Sequence, residues 1–233
     1  MNALHEGKLI KENRLYTVHK LSMLHIENIL LLQDLVVTDL EDKTRLQPLA
    51  RDEYEYILKG NGVMVGAFLE QELIALRALL IPEIDDEHLG LDIGLNEAEL
   101  NQVIYQEISL VHPSYRGNRL QQVLGTVIME ELNSLPGDFT YISCTVAPFN
   151  IPSLKDKFAQ GMEIAALKNK YGEQMRYIFV KEVNKPSAST EQKRLIIPMD
   201  DFHTQQSLLL TGWRGIGMKR LQDNDHIVFV KYQ

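Results

Sequence analysis

The stretch Val111-His112-Pro113-Ser114-Tyr115-Arg116-Gly117-Asn118-Arg119-Leu120-Gln121 gathers residue types suited to holding an anion. A Pro and a Gly shape a short polar turn, and two arginines bring cationic side chains to it. The preceding run Val103–Leu110 is β-branched and apolar and predicts a strand. The following residues Leu120, Val123, Leu124, Val127, Ile128, Leu132 and Leu135 recur at three- and four-residue steps and predict a helix over 119–135. A loop that feeds a helix start offers unpaired backbone N–H groups and the positive end of the helix dipole, so the chemistry on offer is phosphate binding. Asn118, with Gln121 three residues on, reads as a capping-box variant that would fix the helix start. The competing reading is a surface turn whose arginines are solvated.

The elements that position this loop follow from the rest of the chain. Residues 1–14 are polar and read as a loose tail or an edge segment. A strand is predicted over 15–21 and a helix from a Ser22 cap to about Leu40, with Ile26, Ile29, Leu30, Leu31, Leu35 and Val36 on its apolar positions. A second helix over 50–59 begins acidic, with Asp52 and Glu53, and is stopped by Gly60-Asn61-Gly62. Two strands, 63–69 and 73–81, are joined by the tight turn Glu70-Gln71-Glu72. The acidic segment 82–99 reads as a solvated loop, with a substrate-facing rim as the lesser alternative. After the loop and its helix come a strand over 140–146, a short helix over 153–160 closed by Gly161, and strands over 162–167 and 176–181. Asn184–Thr190 is the most linker-like stretch. Beyond it lie a strand over 194–198, a helix opened by Asp200-Asp201, a turn over 212–217 and a final strand over 226–232. Strands alternating with helices indicate a mixed α/β class.

Composition narrows the function. The chain has 233 residues, 45% of them hydrophobic, enough for one large domain or one domain with an appendage. A net charge of −8 argues against a general affinity for nucleic acid; it is compatible with a cationic amine substrate, but simple solubility is the default reading. No apolar run is long enough to span a bilayer, and the N-terminal residues carry no signal-peptide pattern, so neither a membrane nor export is expected. The single cysteine, Cys144, excludes an internal disulfide, fits a reducing cytoplasm and sits mid-strand as a small apolar residue. The seven histidines have no metal-ligand spacing, so no metal is expected.

The pattern Val111-x-Pro113-x-Tyr115-Arg116-Gly117-Asn118-x-Leu120 resembles the acyl-CoA motif of the GCN5-related N-acetyltransferases. The strand over 140–146, Asn150 after it, Ser153 and Gly161-Met162 also fall where that family has corresponding features. The resemblance covers roughly residues 15–183. It implies a central, mostly antiparallel sheet splayed at the CoA site, with helices on both faces, over a domain 1–183. The remaining 184–233 form a small strand–helix–strand extension. In the family motif, Gln/Arg-x-x-Gly-x-Gly/Ala, backbone N–H groups hold the pyrophosphate of acetyl-CoA. Arg116 matches its first position, while Arg119 and Gln121 stand where small residues belong. The cofactor contacts implied are Leu110, Val111, Arg116, Gly117, Asn118, Arg119, Leu120, Gln121, Asn150 and Ser153. For Asn150, a local role as helix cap and a role at the pantetheine arm are compatible.

The reaction implied is direct transfer of an acetyl group from acetyl-CoA to a primary amine of a small molecule or peptide. An ammonium does not attack until a base takes its proton. Glu107 is the candidate base, with a solvent-facing strand glutamate as the competing reading, and Tyr105 lies two residues earlier on the same face. The family's usual thiolate acid, a tyrosine seven residues after the asparagine, is replaced by Lys157; Tyr171 and Tyr177 are alternatives more typical of packing. Two rivals stand beside the enzyme: a CoA-sensing or protein-interaction module without turnover, and an unrelated α/β protein. For assembly, exposed sheet ends pair two subunits into a homodimer or are covered by the tail.

Overall fold

The computed structural model describes residues 3–183 and 191–232. The linker expected at 184–190, and with it the boundary at 184, lies outside the described residues. In chain order the elements are β1 (His5–Lys8), β2 (Leu15–Lys20), α1 (Ile26–Asp39), α2 (Arg51–Leu58), β3 (Gly62–Leu69), β4 (Glu72–Leu80), α3 (Leu89–Asp92), β5 (Val103–Val111), α4 (Leu120–Glu131), β6 (Tyr141–Val146), α5 (Ile151–Ala159), β7 (Glu163–Lys170), β8 (Gln174–Glu182), β9 (Glu191–Pro198), α6 (Phe202–Leu210), β10 (Arg214–Leu221) and β11 (Asn224–Tyr232). They gather into two compact units, Met1–Pro82 with Ile104–Gly137, and Glu83–Val103 with Asp138–Gln233.

In the first unit the strands run β1-β2-β3-β4-β5, every neighbouring pair antiparallel. β3 and β4 are buried along nearly their whole length, which explains their almost unbroken apolar sequence: α1 and α2 pack on them, and so does α4. Ile29, Leu32 and Val36 of α1, Tyr54 and Ile57 of α2, Leu76 and Ala78 of β4, and Ile108 and Leu110 of β5 form one apolar cluster. Burial of each large side chain contributes on the order of 1.5–3 kcal/mol. A polar clasp fixes the α1–α2 connection. Buried Gln33 donates to Leu49 O and accepts from Leu49 N, both at 2.9 Å, and also accepts from the Tyr54 hydroxyl at 2.7 Å. The alternative of an edge segment for residues 1–14 holds for His5–Lys8, which pair with β2.

In the second unit the order is β6-β8-β7-β10-β11-β9, again antiparallel throughout. Two expectations are corrected here. The turn expected over 212–217 is mostly strand: Arg214–Leu221 pair with β11, and Gly215 joins the sheet opposite Ile164 of β7. The glycines at 212, 215 and 217 hid a strand in which Gly215 allows a close approach, since a Cβ there would lie 3.0 Å from the Ile164 side chain. The segment 82–99 is a solvated loop only in part. Glu83–Glu87 are exposed as expected, but His88, Leu89 and Gly90 are buried, and Glu87 and Asp92 pair with lysines of β7.

Lys170 is the anchor of that segment. Its Nζ donates to Glu87 O and Oε2 and pairs with Asp92 Oδ2 at 2.9 Å, while Lys168 takes Asp92 Oδ1 at 2.8 Å. Burial pulls the Lys170 ammonium down, but its bonds to Asp92 and Glu87 and their charges more than reverse this, so its net pKa is raised. A raised lysine contributes stability at neutral pH that is lost only as pH climbs through its folded pKa. Lys170→Met is expected to cost about 3 kcal/mol in denaturant unfolding, because it strips a partner from the buried Asp92 carboxylate. Hydrogen exchange in residues 83–103 should quicken with it.

Candidate active site

The site is built on β5. Its register with β4 places Arg77 opposite Ser109 and Leu79 opposite Gln106, so Glu107 and Ile108 together face Ala78. This two-against-one bulge re-aims the strand. Ile108 enters the cluster with α1 and α2, and Glu107 lies by α2, where burial, then the Glu53 carboxylate, push its carboxyl up to about 7. Glu107 is partly buried rather than solvent-facing. Burial and the same carboxylates also raise the Tyr54 phenol. Tyr105 is opposite Leu80, which packs on the α1–α2 cluster, so Tyr105 shares this face. Leu110 is buried in the cluster and Val111 is partly buried at the strand end.

Past the strand, Pro113–Tyr115 make a single 3-10 turn steadied by the Tyr115 hydroxyl, which donates to Glu72 Oε2 at 3.1 Å. Gly117 then has φ +83° and Arg119 φ +60°, both left-handed. Between them Asn118 is buried. Its Oδ1 accepts from Lys11 N at 2.9 Å, and its Nδ2 donates to Glu12 Oε2 at 2.8 Å and to Tyr115 O at 3.1 Å. Lys11 Nζ donates to Arg116 O at 2.7 Å. The expected capping box is thus not formed. Asn118 is spent on the β1–β2 connection, and the residue at the helix boundary, left-handed Arg119, makes no side-chain cap, which needs extended backbone. What remains serves an anion well. Among the described residues the backbone N–H groups of Gly117, Asn118 and Arg119 find no acceptor, and those of Leu120 and Gln121 open α4 without one. The Arg119 side chain is exposed, and Arg116 is half-exposed in an ion pair with Asp39 at the end of α1.

Arg119 holds a conformation in which glycine is free of penalty and arginine is not. Arg119→Gly is expected to raise stability by about 0.5–1 kcal/mol, read from the denaturant midpoint.

Asn150 and Ser153 belong to the second unit. The Asn150 side chain caps α5, accepting from Ser153 N at 3.4 Å, as the local reading required. Lys157, at the position of the family's tyrosine, is buried and pairs with Asp156 at 3.5 Å. Tyr177 is buried and donates to Gln205, a packing role, and Tyr171 is exposed beside Thr145. Cys144 is buried. Among the described residues no group of three or more His, Cys, Asp or Glu is placed to hold a metal ion, and no helix is long and apolar enough to cross a membrane. The sequence reading missed the part of Lys11 and that of Arg77, the one charged residue within apolar Leu73–Ile81, whose isolation was the available signal.

No family model and no curated relative matches the sequence. Solved structures do match in fold. A putative acetyltransferase from Salmonella typhimurium with its cofactor acetyl-CoA superposes with a TM-score of 0.56 at 12% identity, over 74% of this chain and 96% of that one. Arabidopsis thaliana NAA60 in complex with acetyl-CoA gives 0.56 at 14% identity, over 73% and 99%. An acetyltransferase of the GNAT family from Streptococcus pneumoniae gives 0.55 at 13%, over 72% and 99%. The chain has the mixed α/β fold of the GCN5-related N-acetyltransferases.

Proposed function

We propose that the protein transfers an acetyl group from acetyl-CoA to a primary amine, with Glu107 as the general base. The observation that carries this reading is the Glu107 carboxyl, raised to about 7 on the strand that runs into the loop of unpaired N–H groups. Glu107 precedes Val111 by four residues, on the order of 13 Å along a strand. A ligand with phosphates at the loop and its reacting atom near Glu107 must span that interval with a long arm, as acyl-CoA does with pantetheine. The loop N–H groups from Gly117 to Gln121, with Arg116 and Arg119, would take the pyrophosphate, and the β5 backbone at Leu110 and Val111 would take the arm. Glu107 accepts a proton from the ammonium, the freed amine forms the C–N bond at the thioester carbon, the C–S bond breaks, and the second proton shed by the nitrogen goes to the sulfur, which leaves as the CoA thiol. Tyr105 on the same face orients the amine. The solved relatives that carry acetyl-CoA support this assignment of the cofactor.

The occupation of the two small-residue positions by Arg119 and Gln121, and the buried Lys157–Asp156 pair where the family has its acid, favour the rival, a CoA-binding module without turnover. A thiol-release assay with acetyl-CoA and a panel of small amines and N-terminal peptides separates them. Amine-dependent release supports the enzyme, CoA binding without release supports the module, and no CoA binding overturns both.

A further inference from the structure

Arg77 is the largest fully buried side chain among the described residues, and it stands where the two halves of the first unit's chemistry meet. Its Nη1 donates to the carbonyl of Gln121, in the first turn of α4, at 2.9 Å. Its Nη2 reaches Oε1 of Gln106, itself buried, at 3.4 Å. Its backbone is the register partner of Ser109. Arg77 therefore grips β5 on both sides of the bulge, by its side chain at Gln106 and by its backbone at Ser109, and the same guanidinium holds the helix that opens from the anion loop. A planar fork suits this task, because its donors leave in fixed directions and can serve two acceptors at once, which an ammonium on a flexible stem does not.

We propose that Arg77 is a positioning residue that couples the anion loop to the bulge presenting Glu107. The inference rests on the acyl-CoA reading for its kinetic consequences, but the coupling itself is a property of the side chain. Loss of the guanidinium frees the bulge to relax into regular pairing. Relaxation would turn Glu107 and Ile108 out of their shared facing, because a one-residue slip moves side chains to the opposite face. The same loss removes the hydrogen bond that ties the first turn of α4 to β4.

The test uses the full chain with Arg77→Lys, Arg77→Met and Gln106→Met, read by CoA titration calorimetry, steady-state kinetics and titration of Glu107 by carboxyl-carbon NMR. Arg77→Lys is expected to fold, to bind CoA at least 10-fold more weakly, to lose at least 10-fold in kcat, and to bring the Glu107 pKa down toward that of an ordinary glutamate. Gln106→Met removes only the strand arm and is expected to lower the Glu107 pKa and kcat while CoA affinity stays within 3-fold. If Arg77→Met does not fold, the lysine and Gln106 variants decide. A fall in melting temperature with CoA affinity, kcat and the Glu107 pKa all unchanged overturns the coupling and leaves Arg77 merely structural. A wild-type chain that binds CoA without turnover sinks the enzyme reading but not the coupling, which CoA affinity and the Glu107 titration still report. A wild-type chain that does not bind CoA removes the loop half of the proposal together with the acyl-CoA reading.

Discussion

Glu107→Gln is expected to lower kcat/KM by about 10²–10⁴-fold, the usual worth of a general base. The loss should have a particular shape in pH. The wild-type rate rises as pH climbs through about 7, because the carboxylate accepts the proton only when ionised, and the raised value follows from burial beside Glu53. The glutamine variant keeps a residual rate without that limb. Stability should move the other way. A carboxyl held at about 7 when folded and at an ordinary value when unfolded keeps a proton in the folded state that the unfolded chain has already released. Stability is then lost as pH rises from the unfolded to the folded value, by about 3 kcal/mol at most, given about 1.4 kcal/mol per pH unit. Glutamine has no proton to lose. The variant should therefore gain on the wild type between pH 5 and 7, with no gain below pH 4.5, in denaturant melts across that range. A flat stability difference over pH would mean that Glu107 is not desolvated, and the assignment of the base would fall with it.

The double variant Arg116→Glu/Arg119→Glu should weaken CoA binding by about 10²–10⁴-fold, since each arginine removed takes with it a charge-assisted bond to phosphate of about 1.5–3 kcal/mol. The two are not equal. Arg116 already pairs with Asp39, so part of its charge is spent within the protein, whereas Arg119 projects from the left-handed turn with its side chain exposed. Arg119→Glu alone should account for most of the effect. Calorimetry against CoA and against pantetheine, which lacks the phosphates, separates this from unfolding: pantetheine binding should hold. Equal losses with both ligands, or unchanged CoA affinity, would remove the loop from the phosphate role.

The helices and strands of the first unit were legible because their apolar spacing is driven by one core. Ile26, Ile29 and Val36 of α1 lie on the buried face as read, whereas Leu31 and Leu35 are exposed and the core position between them is Leu32, because a helix rich in leucine does not mark which of them faces inward; β3 and β4 read as unbroken apolar runs since both faces are covered. The loop was legible from Pro113, Gly117 and the arginines. The capping box was misread for a long-range reason: Asn118 looks like a local cap, yet its polar atoms are claimed by Lys11 and Glu12, more than a hundred residues away in sequence. The acidic segment 82–99 misled in part, because its charges imply solvent throughout, yet Glu87 and Asp92 are met by Lys168 and Lys170 of β7. The bulge at Glu107 was also out of reach, since a one-residue register shift against β4 leaves no mark on the periodicity of β5 itself.

The contacts of the β1–β2 connection with the anion loop set an order of events for the chain. Lys11 meets Asn118 across 107 residues and Arg116 across 105, and Glu12 meets Asn118 across 106. Closing intervals of that length is entropically slow, and such pairings form after local helices and hairpins are in place. The loop therefore takes its final shape only when the β1–β2 hairpin docks onto a segment more than a hundred residues further along the chain. Competence for an anionic ligand is a late acquisition in folding, and by mass action an anion bound there would hold the first and middle parts of the chain together.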